Sequence, residues 1–152
     1  MLNPNFRDIL STFNAEGVDY LLVGAYAVAA HGLPRATGDI DLWIRSTPEN
    51  ARRAWDALAL FGAPTDQFSI TDLESPEVVI QIGVSPERID VLTSIDGMDF
   101  DSAWRDRVAV EVDGLKVQTL SRKHLIAAKR SAGRPQDLAD AARLSEMREY
   151  PG

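Results

Sequence analysis

The chain has 152 residues, 45% of them hydrophobic and 26% charged, and it contains no cysteine. That is the length of one domain, large enough to bury a core without a metal or disulfide staple, and disulfides, thiolate metal sites and cysteine nucleophiles are excluded. Sixteen Lys and Arg against 23 Asp and Glu give a net charge of −7, a poor balance for non-specific binding to nucleic acid or to an anionic membrane.

The first helix is expected from about Asn5 to Ala15, where Phe6, Ile9, Leu10 and Phe13 make one apolar face, and Gly17 follows as a stop. Val18 to Val23 reads as a short buried strand ending at Gly24. A short helix over 25–31 is closed by Gly32, and Leu33 to Gly38 is a loop by composition. Asp39 to Arg45 alternates with period two and reads as a strand. Thr47 as N-cap, Pro48 at the first helical position and Glu49 at the positive end of the dipole start a helix. Ala51, Ala54, Trp55, Leu58 and Phe61 give that helix its apolar face, and Gly62 ends it. Residues 63–76 look irregular. Val78 to Ile82 and Ile89 to Leu92 are two further strands, and a short helix is expected near Ala103. Val108 to Val112 and Leu115 to Thr119 flank Asp113-Gly114, a hairpin signal. Two helices close the chain, one over about 121–131 and one from Pro135 to before Pro151. No apolar run reaches the roughly 18 residues that span a bilayer, and the N-terminus has no signal-peptide core. The expectation is one cytoplasmic α+β domain over 1–152, a mixed β-sheet flanked by helices, since the order lacks the alternation of a doubly wound sheet.

Asp39 and Asp41 lie two apart on a strand, so both carboxylates leave one face while Ile40 and Leu42 leave the other. Asp90, between Ile89 and Val91, has the same setting. If the two strands are neighbours, three carboxylates converge, and their repulsion calls for a compensating cation. With oxygen ligands only, that cation is a hard one, Mg²⁺ or Mn²⁺. Alone, such acids are equally the solvated face of a sheet. The context adds Gly24-Ala25 at a strand-to-helix junction, where backbone N–H groups can meet a phosphate. A phosphate cradle beside metal carboxylates is the minimal kit for phosphoryl or nucleotidyl transfer. His31 at a helix end suits capping or packing. Ser69, Ser75 and Ser85 have no paired His and suggest no triad, and the three tryptophans read as core or interface residues.

These motifs resemble the nucleotidyltransferase superfold shared with DNA polymerase β, and within it small bacterial proteins related to AbiEii-type toxins and MNT-type antitoxins. The family's opening motif is matched by Gly24-Ala25, thirteen residues, then Asp39-Ile40-Asp41. Arg35 to Leu42 matches its lead-in, Asp90 its third carboxylate, and Lys129, Arg134, Asp137 and Asp140 a later motif; the likeness spans about residues 18–144. Ala25 stands where many active relatives carry Ser or Gly, and Gly38 where many carry Lys. The resemblance implies a minimal nucleotidyltransferase fold with two C-terminal helices. It implies Asp39, Asp41 and Asp90 as metal ligands and catalytic acids, and Gly24, Ala25, Arg35, Thr37, Lys129 and Arg134 around the nucleotide. Asp137 and Asp140 would orient the two cations.

The activity implied is transfer of a nucleoside monophosphate from an NTP to a hydroxyl, with Mg²⁺ or Mn²⁺. The acceptor would be a residue on a partner protein of a toxin–antitoxin pair, an RNA 3′ end or a small molecule. The acidic balance disfavours a long RNA. The alternative is a catalytically weak or inactive binding module that neutralises a partner by contact, and a third reading is a plain interaction domain with solvated acids.

Overall fold

The computed structural model describes residues 2–33 and 38–147. The chain runs α1 (Pro4–Ala15), β1 (Tyr20–Val23), α2 (Gly24–Ala30), β2 (Ile40–Ile44), α3 (Pro48–Phe61), α4 (Ile70–Glu74), β3 (Val79–Ile82), β4 (Ile89–Leu92), α5 (Phe100–Arg105), β5 (Val108–Val112), β6 (Leu115–Thr119), α6 (Arg122–Ala132) and α7 (Pro135–Glu146). The six strands form one sheet in the order β3-β4-β2-β1-β6-β5. β2 runs parallel to β4 and β1 parallel to β6, and the remaining pairs are antiparallel. This is the mixed α+β sheet read from the sequence. Among the described residues no helix is long and apolar enough to cross a membrane.

Local chemistry sets the boundaries. The Asn3 side chain accepts from the Phe6 N–H, with Pro4 at the first position of α1, and the Thr47 side chain does the same for Asn50 at the start of α3. Both caps satisfy an amide that the helix cannot. Asp113 and Gly114 both have positive φ, as a two-residue hairpin turn with the twist of its strands requires. One expectation fails: residues 63–76 are not wholly irregular. They contain α4, held by a capping box in which Ser69 and Asp72 exchange side-chain and backbone hydrogen bonds. Asp fills the place that Glu or Gln usually takes in this motif, and Leu73 is the one buried residue of the helix, so no apolar periodicity signals it.

The core joins the apolar face of α1 to the strands. Phe6, Ile9, Leu10 and Phe13 are buried with Leu21, Ile40, Leu42, Trp43, Ile44, Leu58 and Val91. Two polar ties position β1, β2 and α2. Buried Asn50 accepts from the Asp19 N–H at 2.7 Å and donates to the carbonyls of Asp19 and Arg45, pinning the entry of β1 to the exit of β2. His31, the C-cap of α2, lies with Nε2 2.8 Å from the Leu120 carbonyl, which fastens α2 to the end of β6. Trp43 is buried, whereas Trp55 and Trp104 are half-buried and packed against the core.

Candidate active site

The sheet register makes the site. Asp41 on β2 is the partner of Val23 on β1 and of Asp90 on β4, and Asp90 is in turn the partner of Gln81 on β3. Residues paired across neighbouring strands share a face, so Asp41 and Asp90 stand side by side. The alternate residues Ile40, Leu42, Ile89 and Val91 are buried in the core. β1 ends at Val23, immediately before Gly24, and the Asp41 carboxylate lies against that glycine. A Cβ built on Gly24 would sit 2.2 Å from Asp41 Oδ2, with the backbone at φ +70°. Only a residue without a side chain lets the β1–α2 bend and the carboxylate occupy this space.

Asp39 flanks the pair but is turned to other partners. Its carboxylate accepts from Ser85 Oγ at 2.8 Å and from the Arg88 backbone N–H at 2.9 Å. Those two hydrogen bonds hold its pKa below the usual carboxylate value. Arg88 closes the group. Its Nε and Nη2 grip the two oxygens of Asp90 at 2.7 and 3.0 Å, and Nη2 is also 3.3 Å from Asp39 Oδ2. Asp41 responds to this setting most. Burial first, and then the charges of Asp90 and Asp39 and a hydrogen bond with Asp90, push its pKa up to about 6.

Asp41 and Asp90 offer hard oxygen donors whose mutual repulsion a divalent cation would relieve. As they stand, among the described residues no three acidic or imidazole side chains are arranged to hold a metal ion. Asp39 is tied to Ser85 and the Arg88 amide, and the guanidinium supplies the countercharge. The donor chemistry therefore fits the ion, while the third carboxylate has to be released to join the other two.

Lys129, Arg134, Asp137 and Asp140 form a second cluster, between α6 and α7. Lys129 Nζ lies 3.4 Å from Asp137 and 3.2 Å from Asp140, and Arg134 Nε 2.6 Å from Asp137. The hydrogen bond from Arg134 is the first cause of the lowered pKa of Asp137. Both acids are buried, while the Arg134 side chain is 77% exposed. Arg35 and Thr37 lie outside the described residues. Gly24 and Ala25 open α2, whose N-cap, Val23, offers no side-chain acceptor to the first amides.

Arg88 and Ser85 are the site residues that the sequence reading missed. The signal was present in one case: Arg88 stands two residues before Asp90 and so leaves the same strand face. Ser85 acts from the turn between β3 and β4, where no periodicity marks it.

Residues 3–150 match the family described as "Nucleotidyl transferase of unknown function (DUF2204)". No curated protein matches the sequence. The fold is similar to that of the Thermotoga maritima protein TM1012, assigned as a nucleotidyltransferase, with TM-score 0.62, 20% identity and 97% of each chain covered. It is also similar to the lincosamide antibiotic adenylyltransferase LnuA, solved with lincomycin bound (TM-score 0.62, 14% identity, covering 97% of this chain and 99% of that one). A third similar structure is ANT(2″)-Ia in complex with adenylyl-2″-tobramycin (TM-score 0.58, 15% identity, covering 92% and 84%).

Proposed function

This chain belongs to the DUF2204 family of nucleotidyl transferases, and from that premise we propose that it moves a nucleoside monophosphate from an NTP to a hydroxyl acceptor at the Asp41–Asp90 row. The observation that supports it best is the meeting of Asp41 with both Asp90 and the bare backbone of Gly24. It puts a pair of carboxylates beside a strand-to-helix bend at which Gly24 brings no side chain.

In the proposed reaction the acceptor oxygen attacks the α-phosphorus. The bond from that phosphorus to the oxygen bridging to the β-phosphate breaks, and pyrophosphate leaves. Asp90 takes the proton of the attacking hydroxyl. Asp41 and Asp90, joined by Asp39, would hold Mg²⁺ or Mn²⁺, which when bound neutralises charge on the entering and leaving oxygens. The first amides of α2 would steady the phosphates from the backbone, since Ala25 has no hydroxyl to offer. Arg134 is the accessible cation of the second cluster and would meet a phosphate directly, and Lys129, gripped by two acids, would act beside it.

The two antibiotic adenylyltransferases share the fold over more than nine-tenths of this chain. That supports a small hydroxylated acceptor ahead of the RNA 3′ end or the partner protein of a toxin–antitoxin pair. The test is incubation with each α-labelled NTP and Mg²⁺, using three acceptor sets: aminoglycosides and lincosamides, total RNA, and a cell lysate. Label should appear on a small molecule and vanish when Asp41 and Asp90 are both changed to Ala in a protein that still folds. Label that survives the double change refutes the mechanism. The absence of label on any acceptor, with a raised melting temperature in NTP and Mg²⁺, would favour the binding module.

A further inference from the structure

Arg88 stands in the way of the ion that the acids would hold. Its guanidinium claims both oxygens of Asp90 and reaches Asp39 Oδ2, while Ser85 and the Arg88 amide engage the Asp39 oxygens. Every oxygen of those two carboxylates is occupied by a donor that belongs to the β3–β4 turn or to Arg88 itself. The contact is bidentate on Asp90, a strong geometry for an arginine–carboxylate pair. Yet the Arg88 side chain is 28% exposed, and a long side chain with its head at the surface can leave without disturbing the strand. A divalent ion at Asp41 and Asp90 would compete with the guanidinium for the Asp90 oxygens, and the two positive charges repel at this range. A guanidinium displaced by the ion remains within one side-chain length of the ligand.

We infer that Arg88 is a resident counter-ion of the acidic row, exchanged for the divalent cation when the site loads and turned to the nucleotide's phosphates once released. The inference rests on the transfer reading for the identity of the ligand, but its first half concerns metal affinity alone. Arg88 would act as a positioning residue with two opposed effects: it weakens metal binding to the empty protein and strengthens binding of the metal–nucleotide pair.

The experiment titrates metal-free protein with Mn²⁺, followed by electron paramagnetic resonance or calorimetry, for the wild type, Arg88→Gln and Arg88→Lys. No nucleotide is present. Removing a unit charge a few ångströms from the ion should tighten Mn²⁺ binding by roughly tenfold or more in Arg88→Gln. Arg88→Lys keeps the charge and should stay near wild type. Adding Asp41→Asn to Arg88→Gln should abolish the gain, which places the ion on this row. With Mg²⁺ and NTP, Arg88→Gln should then bind nucleotide more weakly than the wild type does. A purely structural arginine would weaken both, so unchanged or weaker Mn²⁺ binding in folded Arg88→Gln overturns the inference. If Arg88→Gln unfolds because Asp90 is left unpaired, Mn²⁺ should restore its native circular dichroism, and failure to do so overturns the inference as well. Absence of Mn²⁺ binding by wild type and variant alike sinks the exchange. The labelling assay judges the transfer reading separately: label without exchange defeats only this inference, and exchange without label only the transfer reading.

Discussion

Gly24→Ala tests the central geometry with one methyl group. The new Cβ would lie 2.2 Å from Asp41 Oδ2 and 3.2 Å from its Cγ, where ordinary contact begins at 3.4 Å. The carboxylate must retreat by about 1 Å, because the Cβ is fixed to backbone and cannot give way. The backbone adds its own cost, since φ is +70° there and a left-handed conformation costs a non-glycine residue about 1–2 kcal/mol. Gly17 separates the two effects. It has nearly the same φ, +68°, with nothing within 4 Å of its would-be Cβ. Gly17→Ala should therefore lose only the strain, at about 2–4 °C of melting temperature per kcal/mol for a chain of this size, and keep full activity. Gly24→Ala should lose at least as much stability and, in addition, about 100-fold in transfer rate, the scale of an ångström's misplacement at a reacting centre. The assays are differential scanning calorimetry and initial rates with the labelled NTP. Equal kcat/KM in the two variants would refute the claim that Gly24 exists to seat Asp41.

Three further outcomes follow from the same contacts. Asp41 has a folded pKa of about 6 against 3.8 when exposed, so the folded state holds the proton longer than the unfolded one. Stability of the metal-free protein should then fall as pH rises from about 4 through about 6, by about 1–2 kcal/mol once solvent screening is allowed for; Asp41→Asn should flatten that window in urea titrations and be more stable than wild type at pH 7. Asp137 is shifted the other way, by Arg134 first and Lys129 second, so its contribution is present above its unfolded pKa and lost as pH drops through the lower folded value. Asp137→Asn should lower the melting temperature at neutral pH and remove part of the acid-side loss, and an unchanged acid limb would count against the ion-pair cluster. Asn50→Ala removes the side-chain partner of the part-buried Asp19 amide and Arg45 carbonyl, while the Asp19 carbonyl keeps the Arg45 N–H, and should cost about 2–4 kcal/mol, measured by urea unfolding; a cost under about 0.5 kcal/mol would mean water replaces the side chain.

Periodicity carried the sheet because most strands have one apolar side. Ile40 and Leu42, like Ile89 and Val91, announced which face enters the core, and that alone put Asp41 and Asp90 on the opposite face. The residues could not say that β2 and β4 are neighbours. That pairing joins segments almost fifty positions apart, and it depends on β3 returning antiparallel to β4 at the sheet edge. α4 escaped because its evidence is a hydrogen-bond exchange between Ser69 and Asp72 with a single buried leucine, and neither leaves a periodic trace. Arg88 escaped for another reason. Its spacing to Asp90 was visible, but its second partner, Asp39, lies just before the neighbouring strand and has no fixed sequence spacing to it. Asp39 itself was legible as an acid but not as one already engaged by Ser85.

Local preference is broken where β1, β2 and β4 meet, and the breaks there compensate one another. Positive-φ glycines at Gly62 and Gly114 have nothing within 4 Å of a would-be Cβ, so turn geometry accounts for them. At Gly24 the positive φ is only part of the reason, because its missing side chain is also the volume that Asp41 fills. An acid lodged there and pressed against a second acid destabilises the folded chain, since charge repulsion and burial act in the same direction. A fold selected for stability alone would put Asn or Ser at position 41 and have no need of Arg88 over its neighbours. The chain instead sets Asp41 beside Asp90 with Asp39 on their flank, and gives Asp90 and Asp39 one partly exposed guanidinium. Such a local cost, offset by an adjacent contact, is what the proposed ligand site requires. A merely solvated sheet face has no reason to press one carboxylate against a second and against a bare glycine backbone.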